Sequence, residues 1–461
     1  MTSKMQEKKR TVSMVSDPWL MLFSLGLTLL GVVMIYSSTH QMALDKYKDS
    51  YFFLKKHLFS LTLGFIAFYL ASQFPLRILR KFAVPLLLFI MGLLFLLLMP
   101  GFGVKAGGAI RWLKIGGIRV GQPSELAKIA LLLYLAHTLA RKQDRIHLFQ
   151  VGFLPPVIVL GLVLGLLMKQ PDFGTSMMLL TLTGILLFVG GVPLRFLFGS
   201  AMLALPAVYL MLIAKPYRWK RITAFLDPFH PDNIQDGAYQ LVQSLKAFSS
   251  GGLWGNGLAH GQQKLGYLPE AHTDFIFAVV GEELGLIGVL FVIGAFIFLL
   301  YRGYRIALRT PDAFSRYFAV GLTSMIGLQA LLNMGVVMGS LPTKGLPLPF
   351  LSFARTSLIV VFAALGLLLQ IERHTLQFML RQREKRRTTQ KYPSKQSQKP
   401  SKQTQKRARK TTVRKDAYSS SDQHRAASAV DSNPSDPPKH GSDPAFDSDS
   451  PKRRKRKRIN A

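Results

Sequence analysis

The chain has 461 residues, 49% of them apolar, with a mean hydropathy of +0.24, a net charge of +34 and no cysteine. The hydropathy is too high for a soluble chain of this size, and the missing thiols exclude a disulfide framework, a thiol nucleophile and any cysteine-bound metal. Roughly half of the positive excess lies after residue 372, beside apolar runs. Attraction to anionic headgroups explains it at least as well as nucleic acid does, and no nucleic-acid partner is expected.

Residues 1–16 are polar and basic and read as a short cytoplasmic N-terminal segment with no evident cleavable leader. From there the hydropathy predicts about ten transmembrane spans, near 17–37, 57–73, 79–99, 124–140, 151–168, 172–190, 194–214, 271–301, 316–339 and 350–371. Most approach the ~20 residues that cross ~30 Å of hydrocarbon, and a backbone in lipid must satisfy itself, so these are helices. The predicted fold class is all-α: a polytopic membrane helical bundle over residues 17–372. The span at 124–140 is the weakest because it carries Glu125 and Lys128, which at i, i+3 can pair with each other. Lys169-Gln170-Pro171 is so short a link that the spans on either side form a tight hairpin.

Two connectors are longer than a link requires, and long loops in a compact protein usually carry function. One is the glycine-rich stretch 100–123 with Arg111-Trp112, and the other is 215–270, between the seventh and eighth spans. Residues 373–461 are rich in Lys, Arg, Ser, Gln and Pro and read as a basic, low-complexity, disordered tail. The tail, with the short loops 74–81, 141–149 and 302–315, places both termini in the cytoplasm by the positive-inside rule. Both long connectors then lie on the far side, and 215–270 is a large periplasmic or extracellular loop. They too carry cations, among them Lys105, Arg111, Lys114, Lys215, Arg218, Lys220 and Arg221, with Lys169 and Lys344 on the same side. Solvated loop charge accounts for any one of them. Together they suit an anionic ligand such as a pyrophosphate, which arginine grips bidentately.

The densest polar cluster is Leu268-Pro269-Glu270-Ala271-His272-Thr273-Asp274-Phe275, at the entrance of a span that contains Glu282 and Glu283. Thr273 and Asp274 read as helix caps on local grounds. Asp274 also reads as a carboxylate at the membrane boundary, where partial burial would raise its pKa toward neutrality and suit it as a general base. His272, two residues away, would face elsewhere on a helix and suits a positioning or hydrogen-bonding role. Glu282 and Glu283 are costly at membrane depth and read either as partners of a buried cation or as direct participants. The glycines from Gly251 to Gly261 follow no predicted strand, so a dinucleotide fingerprint is rejected. Between the last two spans, Pro342, Pro347 and Pro349 with Gly339 and Gly345 forbid a continuous helix. Broken backbone survives at that depth only where it packs in protein or lines a cavity.

These segments, in order, resemble the SEDS family (shape, elongation, division and sporulation). The matching pieces are Arg111-Trp112, Gln122-Pro123-Ser124-Glu125 with Lys128, Gln170-Pro171-Asp172-Phe173-Gly174, and Tyr217-Arg218 with Arg221. Then come Gly266 to Phe277, Gly281-Glu282-Glu283-Leu284-Gly285, and Pro342 to Ser352, whose Pro-Thr-Lys-Gly looks more like the division branch than the elongation branch. The resemblance implies a peptidoglycan glycosyltransferase that polymerises lipid II in septal wall synthesis. It implies inverting transfer, with Asp274 as general base and undecaprenyl pyrophosphate as leaving group. It suggests Arg111, Trp112, Lys114, Glu125, Lys128, Arg218, Arg221, Glu270, His272, Thr273, Lys344 and Ser352 as substrate-binding residues.

The implied partners are lipid II, a class B penicillin-binding protein and other division proteins. The implied place is the bacterial inner membrane, enriched at the septum. No cofactor is certain, and whether a divalent cation takes part stays open. After Ser352 the family pattern is aromatic-Gly-Gly-Ser-Ser, whereas this chain has Phe353-Ala354-Arg355-Thr356-Ser357. A lipid II flippase, supported by Glu282, Glu283 and Lys128, and a non-catalytic division scaffold, supported by the tail and Ala354-Arg355, are the alternatives.

Overall fold

A computed structural model describes residues 17–106, 109–115, 118–213, 216–234, 237–264 and 266–391. The chain forms two compact units, residues 1–383 and 384–461; of the second, residues 384–391 are described and are helical. The expectations for 1–16 and for the tail beyond 391 lie outside the described residues.

The bundle begins at α1 (Pro18–Tyr47), where Asp17 caps the first turn by accepting from the Leu20 amide and Pro18 fills a position needing no N–H. It continues through α2 (Phe52–Gln73), the short α3 (Leu76–Lys81) and α4 (Ala83–Leu96). After a small sheet come α5 (Pro123–Arg141), α6 (Leu154–Lys169), α7 (Phe173–Val189) and α8 (Leu194–Ile213). The large connector folds as α9 (Pro216–Leu226), α10 (Pro231–Ile234) and α11 (Tyr239–Gly251). The chain then enters α12 (Ile276–Arg309), α13 (Ala313–Val337) and α14 (Arg355–Lys391).

Among the described residues, six helices are long and apolar enough to cross a membrane: α1, α2, α6 with the turn before it, α12, α13 and α14. α4, α7 and α8 are shorter and apolar. With α5, whose Glu125 and Lys128 are buried inside the bundle, the ten spans expected from hydropathy are present. Exposed Leu22, Leu25 and Leu29 on α1 and Leu286, Leu290 and Phe291 on α12 form the apolar outer surface that lipid covers. α13 is the hub: it is buried on most sides and packs on α5, α7, α11 and α12.

The stretch 100–123, expected as an irregular loop, holds a three-stranded antiparallel meander: β1 (Gly103–Ala106), β2 (Ala109–Ile115) and β3 (Ile118–Gly121), in that order. β2 is rich in the β-branched and aromatic residues that favour strands (Ile110, Trp112, Ile115), and Leu113 is buried. The meander delivers Arg111 to the bundle.

Several acids inside the bundle are held by cations or amides. Lys128 lies 2.9 Å from Glu125 and donates to Gln329 Oε1 at 2.9 Å. Glu283 accepts from Ser37 on α1, at 2.6 Å, and from Lys264, and all three side chains are buried. Glu282 accepts from the amides of Gln262 and Gln263. A buried carboxylate left alone would be strongly unfavourable, so these contacts explain how the acids persist at this depth. α12 breaks at Gly285, whose φ of 64° favours glycine. There the Asn256 and Gly257 amides donate to the carbonyls of Glu282 and Glu283, and Leu286 N donates to Gly252 O, so the loop after α11 supplies hydrogen bonds at the break.

At the far end of α12, Arg302 pairs with Asp17 at 2.6 Å, while Arg80 lies 4.0 Å from Asp312 and Arg373 donates to Ser72 O. The start of α1, the loops 74–81 and 302–315 and residue 373 thus share one end. Asp274 stands at the other, 28 residues from Arg302 along the chain. At 1.5 Å per helical residue that is about 40 Å, more than the ~30 Å hydrocarbon layer.

Candidate functional site

Asp274 lies in the turn before α12. The turn is drawn tight by Glu270, a non-glycine residue at φ 55°, whose carbonyl accepts from the amides of Thr273 and Phe275. The helix cap is Phe275 and it makes no side-chain cap bond, so neither Thr273 nor Asp274 is spent on capping. Thr273 instead donates to the Glu270 carboxylate at 2.8 Å. The Asp274 carbonyl accepts from Asn333 Nδ2 on α13 at 2.7 Å.

The carboxylate of Asp274 faces the broken segment 342–353. A methyl group placed on Gly345 would come within 2.8 Å of Asp274 Oδ2. Burial pushes the Asp274 pKa up to about 7, and the nearby Glu270 charge adds to the rise, while Arg111 and Arg221 oppose it. The group therefore gains and loses a proton near neutral pH, as a general base must.

Three cations come to the same end. Arg111, on β2, donates to Pro171 O at 3.0 Å and lies 3.7 Å from Asp172, which accepts from the Thr175 amide at the start of α7. Arg221, on α9, is exposed and reaches Thr343 O at 3.5 Å. Lys344 sits over the Phe173 ring at 5.1 Å, and burial pushes its pKa down. Lys344 and Arg221 have no carboxylate within ion-pair distance among the described residues. His272 lies against Phe53 and Phe353, with ring centroids 5.2 and 5.7 Å away, and its carbonyl accepts from Phe353 N. Burial pushes its pKa down, against the pull of Glu270.

The remaining candidates have the following surroundings. Trp112 is partly buried opposite Val104 in the meander, and Lys114 is exposed on β2. Glu125 and Lys128 belong to the buried network with Gln329. Ser352 is buried and accepts from the Leu348 amide, closing a turn. The side chain of Arg218 lies outside the described residues. Arg355 is exposed at the first position of α14. Among the described residues no group of three or more His, Asp or Glu converges as metal ligands.

Three residues at the site were not among the candidates. Asn333 and Gln329 are polar side chains at i, i+4 inside an apolar span, a pattern that itself signals a role. Gly345 could have been singled out as the one residue between Lys344 and Leu346 with no side chain to obstruct a neighbour.

Comparison with known proteins fits this arrangement. The family model for FtsW, RodA and SpoVE, described as cell cycle protein, matches residues 18–377. A probable peptidoglycan glycosyltransferase FtsW of Trichlorobacter lovleyi is 46% identical over 77% of this chain and 92% of its own length. Another of that name, from Geobacter sulfurreducens, is 44% identical over 77% of this chain and 94% of its own. Among solved structures, a chain of a peptidoglycan synthase complex that coordinates polymerisation and crosslinking is 31% identical, with a TM-score of 0.65 over 78% of this chain and 99% of that one. The rod shape determining protein RodA of Thermus thermophilus is 28% identical, with a TM-score of 0.58 over 78% and 97%. With matches that cover the whole bundle and every segment around Asp274, this chain belongs to the FtsW/RodA/SpoVE family of cell cycle proteins, the SEDS family.

Proposed function

We propose that this chain is the peptidoglycan glycosyltransferase of its family that polymerises lipid II during septal wall synthesis, with Asp274 as general base. The observation that carries the reading is the Asp274 carboxylate: partly buried, holding its proton to about pH 7, and placed at the end of the bundle where Arg111, Arg221 and Lys344 gather. The acceptor sugar's 4-hydroxyl gives its proton to Asp274, and its oxygen forms a bond to the donor's anomeric carbon from the face opposite the leaving group. The bond from that carbon to the pyrophosphate oxygen breaks, and its electron pair leaves with undecaprenyl pyrophosphate, inverting the centre. The negative charge that grows on the pyrophosphate is what Lys344 and Arg221, cations with no carboxylate at ion-pair distance among the described residues, are suited to stabilise.

Topology follows from the same reading. The end that holds Asp17, Arg80, Arg302 and Arg373 is cytoplasmic, both termini lie there, and Asp274 opens on the outer leaflet. The solved relative from a synthase complex supports a class B penicillin-binding protein as partner, which would crosslink the strand as it forms. The flippase reading loses support, since Glu282, Glu283 and Lys128 are each held by protein groups.

The test is conversion of lipid II into glycan strands by the purified chain, alone and with such a partner. The proposal expects strands from the parent and none from Asp274→Ala. An Asp274→Ala protein as active as the parent would overturn it, and lipid II translocation without polymer would favour the flippase.

A further inference from the structure

The two segments that face each other at the site have no helix or strand to fix their separation. One is the turn that ends at Asp274, and the other is the proline-broken stretch 342–353. At their far end the Phe353 amide donates to the His272 carbonyl; beside Asp274 itself the side chain that bridges them is Asn333. Asn333, buried on α13, donates one N–H to the Asp274 carbonyl and the other to the Leu346 carbonyl, both at 2.7 Å. Leu346 is the neighbour of Gly345, whose backbone lies against the Asp274 carboxylate.

The amide can serve this way in one orientation only. Both partners are carbonyls, so a flipped amide would set oxygen against oxygen twice. Its own Oδ1 is left buried without a partner. One turn earlier, Gln329 does similar work for the back of the same segment, donating to Pro347 O at 2.9 Å and Ser357 Oγ at 3.0 Å. Gln329 touches nothing in the Asp274 turn among its hydrogen bonds, and this makes it the natural control.

We propose that Asn333 is a positioning residue for Asp274: by tying residue 274 to residue 346 it sets how closely the Gly345 backbone covers the carboxylate, and so how dry the base is kept. This rests on the reading of Asp274 as the base. The charged groups that act on the carboxylate are Glu270 from its own turn, Arg111 from β2 and Arg221 from α9, with His272 two residues away along the turn and Lys344 next to Gly345 on the opposite segment. None of them is altered by a change at 333, so a change in the base's protonation there reports water entry.

The experiment compares Asn333→Leu with Gln329→Leu in the full-length protein. It measures kcat and KM for lipid II polymerisation, the pH dependence of kcat, and labelling of Asp274 by a hydrophobic carbodiimide, which reacts with protonated carboxyls in apolar surroundings. Loosening a base by about 1 Å costs on the order of 100-fold in rate. Asn333→Leu is expected to lose about that factor in kcat with KM within about threefold. The acid limb of its pH profile should move down by at least about half a unit, and Asp274 labelling at pH 7 should fall. Gln329→Leu should leave the limb and the labelling where they are in the parent. If Asn333→Leu does not accumulate, Asn333→Gln, with both donors on a longer arm, should shift the limb and the labelling in the same direction by less. An unmoved limb with unchanged labelling, in either variant, overturns the proposal. A parent whose activity survives Asp274→Ala would instead overturn the reading of the base and leave the labelling result to judge the clamp by itself.

Discussion

The buried centre of the bundle and its open end hold the same kinds of side chain in opposite states. At the centre, Lys128 meets Glu125 and Gln329, and Glu283 meets Lys264 and Ser37. At the end, Asp274 keeps a proton to about pH 7, while Arg221 and Lys344 have no carboxylate of their own among the described residues. The contrast separates buried charge that is paired inside the protein from charge that, on the proposed function, a pyrophosphate would meet. A matched buried pair needs no ligand. Unmatched cations beside a half-protonated acid are in the state that a pyrophosphate and an incoming hydroxyl would complete.

Substitutions can break this contrast from either side. Asp274→Asn, nearly isosteric, should lower the polymerisation rate by about 1,000-fold, the mid-range of a general base's contribution. Gel analysis of glycan strands reads it, and a loss under tenfold would place the base elsewhere. Lys128→Met should act on stability instead. Removing one partner of a buried pair costs about 3–5 kcal/mol, because Glu125 is left charged and alone, whereas Lys128→Met with Glu125→Leu should recover most of that loss. Thermal unfolding in nanodiscs decides it; a double variant no more stable than the single one would show that the pair is not the source of the cost.

Gly345→Ala introduces only a methyl group, but one directed at Asp274 Oδ2. Its expected cost is roughly 10- to 100-fold in kcat with little change in unfolding temperature, because a displaced base loses rate before the fold loses stability. Lys344→Gln should be milder, about tenfold in kcat/KM, as one of several cations near the leaving group.

The smallest effect concerns stability against pH. The folded-state pKa of Asp274 is raised above the ordinary 3.8. The protonated carboxyl therefore contributes stability that is full below that value and is lost as pH rises through about 7. Asp274→Asn should accordingly unfold a few degrees higher than the parent at pH 8 and differ little at pH 4.

Much of the fold was legible because lipid imposes one rule. Length and hydropathy located ten spans, and α5 was found in spite of Glu125 and Lys128, whose spacing already suggested that they pair. The meander at 103–121 was not read as strands because the glycines around it dominate the composition and Ala109 to Ile115 shows no clean alternation, its registers being irregular on both sides. Nor could the break at Gly285 be seen, since its missing helix bonds are replaced by amides from Asn256 and Gly257 nearly thirty residues earlier.

At the site, the cluster from Glu270 to Asp274 stood out from the residues alone. Whether it caps the helix could be settled only by geometry, where Phe275 takes the capping position. Ser352 also has a structural use that the residues alone do not announce, accepting from the Leu348 amide. Asn333 was passed over because an amide in an apolar helix, even one spaced i, i+4 from Gln329, says nothing of its partners until residues 274 and 346 are brought together around it. The change of the family's Gly-Gly to Ala354-Arg355 adds an exposed cation at the start of α14, and nothing in the structure explains it.

The most direct test of the account is the pH dependence of kcat for lipid II polymerisation by the full-length protein between about pH 5 and 9. The base must be ionised to accept a proton, so with a pKa of about 7 the rate should fall about tenfold per unit below that value and level off above it. A rate that stays flat down to pH 5 would mean that no carboxylate held near neutrality takes the proton, and would contradict the role given to Asp274.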